Sequence, residues 1–171
     1  MGTAIAERVL DAGYQLVVYN RTPEKAAALG ARGAVVANTL ADLVEEVDVV
    51  LTSLADDAAL EAVAASVIPA ARPGTVLVDM STVSPATSAR VAVLAEGASV
   101  PYLRAPVSGN PTVVRAGNLS VIVSGPRETL GGYADDDFIA LYLHLRSASG
   151  LDAAAAPVSQ MGDYPDQEVL R

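Results

Sequence analysis

The sequence predicts an α/β fold: a doubly wound, mainly parallel sheet with helices on both faces. Three observations carry that reading. Short β-branched runs alternate with helix-length segments through the first 125 residues, and strands alternating with helices of about ten residues make βαβ units. The runs QLVVY (15–19), VDVVLTSL (47–54) and TVLVDM (75–80) are short and apolar, as buried strands are. Turn-forming residues, among them Gly13, Gly30, Gly33 and Pro73-Gly74, fall between these segments.

Taken in order, residues 3–12 carry Ile5 and Val9 on one face, an i, i+4 apolar stripe that predicts a helix stopped by Gly13. Residues 15–19 follow as a strand. Thr22-Pro23-Glu24-Lys25 then reads as a helix start, with Thr at N-cap, Pro at N1 and an acid in the first turn. Gly30 and Gly33 close that helix, residues 34–36 make a short strand, and 40–46 a brief helix. The strand 47–54 leads into an Ala-rich helix over 56–68. After the strand 75–80, Ser84 caps and Pro85 opens a helix running to about Glu96. Residues 102–105 and 119–124 are two further strands, separated by a loop containing Ser108-Gly109-Asn110-Pro111.

Composition shifts after Pro126. Residues 128–171 hold eight acids and two bases, a net −6 of the chain's −9. Phe138, Leu141, Tyr142 and Leu145 are spaced for one helical face, with Asp137 as N-cap, and from Leu151 onward weak order is expected. The domain boundary is therefore expected at 127, with an acidic helical tail over 128–171.

Bulk composition excludes several classes of function. The chain has 171 residues, 51% of them hydrophobic, and a mean hydropathy of +0.36, which argues for a packed core and against disorder. The longest run without a charge, residues 116–126, is eleven residues, too short to span a bilayer, which needs about 18 or more. The first residues lack a basic stretch and Glu7 interrupts the apolar run, so no secretory leader is read and a cytoplasmic location is expected. A pI near 4.4 disfavours nucleic acid, whose affinity comes from Lys and Arg neutralising phosphates. Zero cysteines exclude disulfides, thiolate metal sites and cysteine nucleophiles, and a single histidine, His144, excludes a multi-histidine metal centre. His144 is read as solvated or core-satisfied, and Asp135-Asp136-Asp137 as helix capping and solvated charge. Ten arginines accompany one lysine, Lys25.

The first place where chemistry is legible is the start. Gly2 heads a helix with Ala6 four residues on, and Asn20-Arg21-Thr22 follows the next strand. In a dinucleotide-binding βαβ unit a glycine lies where helix and strand pack closely, and about 20 residues on the strand end meets the adenine ribose. An acid there prefers NAD, whereas a nearby arginine accommodates a 2′-phosphate. Asn20 followed by Arg21 points to NADP rather than NAD. The same spacing is met by a disordered terminus and a surface arginine beside a helix cap, and spacing alone does not choose.

Four segments resemble a known family: Gly2-Thr3-Ala4-Ile5-Ala6, Tyr19-Asn20-Arg21-Thr22, Asp79-Met80-Ser81-Thr82-Val83-Ser84-Pro85 and Ala105-Pro106-Val107-Ser108-Gly109. They are similar to the β-hydroxyacid dehydrogenases, a group that includes 3-hydroxyisobutyrate dehydrogenase and shares its cofactor domain with 6-phosphogluconate dehydrogenase. Imine reductases are close relatives. The resemblance covers residues 1 to about 127. It implies a Rossmann-like sheet, here lacking its first strand, and an NADP-dependent oxidoreductase that interconverts a 3-hydroxy acid with its semialdehyde or keto acid. Gly2 would be the last glycine of the pyrophosphate loop, and Asn20, Arg21 and Thr22 would surround the adenine ribose and its 2′-phosphate. Ser53 and Leu54 would lie along the cofactor, Ser81 and Thr82 would approach the nicotinamide, and Ser108, Gly109 and Asn110 would hold the substrate carboxylate. Asn110 departs from the family's usual Ser-Gly-Gly, with a side chain expected to narrow or re-aim that anion site. Arg104 stands where the family often has an acid.

The strand reading supports these positions independently, because ligands of open α/β sheets bind outside the carboxyl ends of the strands. Asn20, Ser53, Ser81 and Ser108 all fall at or just past such ends. For each one taken singly, a cap or turn role is an equal alternative.

The resemblance also marks two departures. The family's opening strand and first two glycines would precede Met1, so the strands at 15–19 and 47–54 are expected to expose unpaired ladders or take new partners. The family's general acid/base lysine sits in a Gly-x-x-Gly-x-x-x-Lys segment, and none follows Pro126. The chain is thus expected to be a catalytically incomplete fragment with weak cofactor affinity. An imine reductase relative is the alternative within the enzymes. Outside them, the alternative is a non-catalytic nucleotide-binding or interaction module. Self-association into a homo-oligomer is the macromolecular partnership kept open.

Overall fold

The structure, a computed structural model, describes residues 1–45, 47–126 and 129, together with the backbone of 167–170. The order of elements is α1 (Gly2–Asp11), β1 (Val17–Val18), α2 (Pro23–Gly30), β2 (Val35–Val36), α3 (Leu40–Val44), β3 (Val49–Thr52), α4 (Asp57–Ala70), β4 (Val76–Asp79) and α5 (Pro85–Gly97). Then come β5 (Tyr102–Arg104), β6 (Val107–Ser108), α6 (Pro111–Arg115), β7 (Ser120–Ser124) and β8 (Gln167–Leu170).

The α/β expectation holds, in two sheets. β1 and β2 pair in parallel as one small sheet. The larger sheet runs β3-β4-β5 in parallel and continues to β7, which is antiparallel to β5 and β6. Residues Arg104↔Ser124, Val107↔Val121 and Ser108↔Ser120 keep one register. β5 and β6 are therefore a single line along β7, interrupted at Ala105-Pro106.

The sheet is divided between β1 and β3. Among the described residues β1 pairs only with β2, and β3 only with β4. Of the two outcomes expected for these strands, the exposed ladder is the one observed. It also explains why the strand expected over 15–19 is reduced to Val17–Val18: one-sided pairing leaves little to hold its ends.

Each face of the larger sheet carries its own core. On one face Ala4 and Ile5 of α1 and Val114 of α6 pack on Val76, Val78, Leu103, Val121 and Val123. On the other, Val44, Leu60, Ala64, Val67, Ile68, Val91 and Ala95 from α3, α4 and α5 cover Val50, Leu77 and Tyr102. β4 is buried throughout, whereas Val49 and Leu51 of β3 are only partly covered. That difference follows from β3 standing at the sheet's border.

Caps set the helix starts, and the Ser84 cap is the expected one. Ser84 accepts from Thr87 N ahead of Pro85, Asp56 from Ala59 N, and Thr39 and Asp42 form a reciprocal capping box. Thr22 is the N-cap of α2, yet its side chain makes no capping bond. Instead Asn20 Oδ1 accepts from Thr22 N at 2.9 Å. The end of β7 is held close to β5: a Cβ on Gly125 would stand 2.8 Å from the carbonyl oxygen of Tyr102, so only glycine fits.

Three elements depart from the sequence expectation, two where a loop is expected and one in the tail expected to be weakly ordered. β6 and α6 lie in the Ser108–Pro111 region, and β8 pairs antiparallel with β7 from Val121↔Leu170 to Ser124↔Gln167. The helix expected around Phe138–Leu145, with Asp137, His144 and the Asp135–Asp137 run, lies outside the described residues.

Candidate functional site

The site is built from the carboxyl ends of three adjacent parallel strands. Thr52 of β3, Asp79 of β4 and Arg104 of β5 are direct register neighbours, and Ser124 of β7 continues the row. Paired residues point to the same face of a sheet, so four polar side chains cross four strands at one level. The remaining residues of β1 to β4 are all apolar.

Asp79 is the centre of this row. It is 2% exposed, and a buried carboxylate needs donors to be tolerated. Thr52 Oγ1 donates to its Oδ1 at 2.7 Å, and Ser81 N donates to the same oxygen at 3.0 Å. Tyr102 OH stands 3.4 Å from Oδ2. Burial first, and the Asp79 charge second, push the Tyr102 hydroxyl up to about 12, so the phenol keeps its proton and remains a donor.

Ser81 links the next strand end. Its Oγ accepts from Leu54 N at 2.9 Å, while its own N is held by Asp79. The Ser53-Leu54 turn and the Ser81-Thr82 turn are thereby fastened to each other. Ser81 is buried, and Thr82 beside it is exposed. Gly2 closes the cradle from the other side: a Cβ there would lie 3.4 Å from Ser53 Cβ, so the first residue of α1 abuts the end of β3. Met1 O accepts from Ala4 N and Ile5 N, which leaves the N–H groups of Gly2 and Thr3 at the positive end of α1.

The residues expected at the ribose form a separate turn. Asn20, Arg21 and Thr22 are all exposed, after β1 in the smaller sheet. Among the described residues Arg21 has no ion-pair partner, whereas Arg32, Arg72, Arg90 and Arg115 each face a carboxylate.

Ser108, Gly109 and Asn110 stand at the end of β6, all exposed. Gly109 has φ +150°, and a Cβ there would come within 3.2 Å of Leu119 and Val113 side chains. Asn110 is the N-cap of α6, with Oδ1 accepting from Thr112 N and Val113 N, each at 3.0 Å. Its side chain, where the resembling family has a glycine, thus starts α6.

Sequence reasoning did not assign Thr52, Asp79 or Tyr102. The available signal was an acid inside an otherwise apolar strand, TVLVDM. Around this site a further network ties α4 to α5. Ser84 N donates to Asp57 Oδ1 at 2.8 Å, and the side-chain and backbone bonds from Ser84 hold the Asp57 carboxyl below its usual range. Among the described residues no group of three His, Asp or Glu side chains is placed to hold a metal ion, and no helix is long and apolar enough to cross a membrane.

A dinucleotide fits this arrangement on structural grounds. The N–H groups at the start of α1 suit a pyrophosphate, the fastened turns line the strand ends, and Arg21, exposed and without an ion pair among the described residues, offers a cation in the turn after β1. Comparison with known proteins gives the same direction. A family model described as the NAD binding domain of 6-phosphogluconate dehydrogenase matches residues 1–134. The uncharacterized oxidoreductase YkwC of Bacillus subtilis is 34% identical over 131 residues, covering 75% of this chain and 46% of that protein. The solved 3-hydroxyisobutyrate dehydrogenase of Mycobacterium tuberculosis, with L-serine, aligns at a TM-score of 0.77 and 30% identity over 83% of this chain and 47% of that one. Psf3 in complex with NADP+ and 2-OPP aligns at a TM-score of 0.74 and 29% identity, over 83% of this chain and 51% of that one. The chain thus spans about half the length of the proteins it matches.

Proposed function

The chain belongs to the family of the NAD binding domain of 6-phosphogluconate dehydrogenase, and from that premise we propose that it is the cofactor-binding part of an NADP-dependent oxidoreductase acting on a 3-hydroxy acid. The observation that carries this reading is the bond from Leu54 N to Ser81 Oγ, backed by Asp79. It fixes two strand-end turns side by side, where open α/β sheets hold their ligands.

Gly2 and Thr3 donate to the pyrophosphate. Arg21, with Asn20 and Thr22, takes the 2′-phosphate and so favours NADP over NAD. Ser53 and Leu54 flank the cofactor, and Ser81 and Thr82 meet the nicotinamide, which supplies or accepts the hydride when bound. Ser108, Gly109 and Asn110 hold the substrate carboxylate through the backbone turn that Gly109 permits. Residues 1–127 act as the cofactor domain and 128–171 as an acidic appendage. A small-molecule hydroxy acid is the partner, rather than nucleic acid or a membrane.

Proton transfer is where these 171 residues fall short. General acid–base help contributes about 10²- to 10⁴-fold, and the only lysine, Lys25, is an exposed residue of α2 just past the ribose-side turn. We therefore propose cofactor binding without appreciable turnover by this chain alone. Fluorescence titration with NADPH and NADH tests the reading. Saturable binding with NADPH the tighter ligand is expected; no binding of either overturns the cofactor role, and tighter NADH overturns the role of Arg21.

A further inference from the structure

We infer that Arg104 is a specificity-determining residue that selects a substrate with a second negative charge, a dicarboxylic 3-hydroxy acid, and this rests on the proposed substrate role of Ser108–Asn110. Arg104 ends β5, beside Asp79 in register on one side and Ser124 on the other. It is partly buried, and its Nε is sealed from solvent without a hydrogen-bond partner among the described residues. A buried donor left without an acceptor costs stability, so a guanidinium kept in this state needs an explanation other than packing.

Asp79 does not provide one. Its oxygens are engaged by Thr52, Ser81 N and Tyr102, and among the described residues no carboxylate lies within ion-pair distance of Arg104. Other arginines of the domain are matched to acids: Arg32 with Asp11, Arg72 with Asp48, Arg115 with Glu7. Arg104 is partly buried and, among the described residues, has no such carboxylate partner.

Its position says what it faces. Because β5 and β6 share one register along β7, alternation is unbroken, and residues 104 and 108 lie on the same face of the strand. That face also carries Asp79, whose carboxylate holds Ser81. Arg104 therefore stands between the turn proposed to meet the nicotinamide and the turn proposed to hold the substrate carboxylate. An anion entering there meets a planar, permanently charged fork suited to a carboxylate. A mono-carboxylic acid anchored at Ser108–Asn110 leaves that fork empty, whereas a dicarboxylic acid fills both.

Binding of L-malate and of 3-hydroxypropionate to the 171-residue chain, at constant ionic strength and by calorimetry, tests this alongside the NADPH titration. L-malate is expected to bind about tenfold more tightly, the size of one charge-assisted contact. Arg104→Gln should abolish the preference and Arg104→Lys retain most of it, with circular dichroism reporting the fold of each. Equal affinities in the wild type, no binding of either acid, or a preference that survives in Arg104→Gln overturns the inference. A malate preference that depends on Arg104 in a chain that fails to bind NADPH sustains it and overturns the cofactor reading alone. NADPH binding without malate preference does the reverse.

Discussion

Thr52 Oγ1 donates to Asp79 Oδ1 at 2.7 Å, joining the carboxyl ends of β3 and β4 beneath the turns that line the site. Removing the carboxylate strands three donors at once: Thr52, Ser81 N and Tyr102. Asp79→Ala is expected to destabilise the fold by about 3 kcal/mol, the usual cost of breaking a buried charged network. Asp79→Asn, which keeps one acceptor, should cost about half as much. Urea unfolding monitored by circular dichroism measures both, and a neutral Asp79→Ala contradicts the network.

Tyr102 gives the network a pH signature. Its hydroxyl titrates near 10.0 in an unfolded chain and at about 12 in the folded one. The folded state therefore holds a proton that the unfolded state releases first. Its contribution to stability is complete below pH 10 and is lost as pH rises from there towards 12. Tyr102→Phe should flatten that alkaline loss while costing about 1 kcal/mol or less at pH 7. Melting temperatures of the two proteins between pH 8 and 12 provide the check, and parallel curves contradict the assignment.

Gly109 is held at φ +150° against Leu119 and Val113. Gly109→Ala should destabilise by about 1–2 kcal/mol through backbone strain and contact. Thermal unfolding reads the effect. An unchanged melting temperature would mean that the Ser108–Asn110 turn relaxes without cost, contrary to the geometry described.

Arg21 is exposed and without an ion pair among the described residues, so its replacement should be felt by ligand rather than fold. Arg21→Gln is expected to weaken NADPH binding about tenfold, the worth of a charge-assisted contact to phosphate, and to leave NADH binding and the melting temperature unchanged. Equal losses for both cofactors count against a 2′-phosphate contact.

Much of this was legible in the sequence because local signals and burial agree. The Ser84-Pro85 and Asp56 starts fall where their capping chemistry demands, and the apolar runs at 49–52 and 76–79 are strands. The loop reading of 107–115 failed because Pro106, Gly109 and Pro111 are turn residues by type. Asn110-Pro111 was nevertheless a usable helix start, an N-cap followed by proline at N1. β8 could not be foreseen from Gln167–Leu170, since its pairing with β7 depends on a partner more than 40 residues away. Asp79 and Arg104 were visible as charges next to apolar runs. Their significance is lateral, set by the register of β3, β4, β5 and β7, and a one-dimensional pattern does not carry register.

We propose that the fastened strand ends and the α1 terminus form one cofactor cradle. Amide chemical-shift mapping of the isotope-labelled chain during NADPH titration tests it most directly. Shifts are expected to concentrate at Gly2, Asn20–Thr22, Ser53-Leu54 and Ser81-Thr82, with Lys25 little affected. Saturable binding whose shifts cluster elsewhere, or a spectrum unchanged at millimolar NADPH, contradicts it.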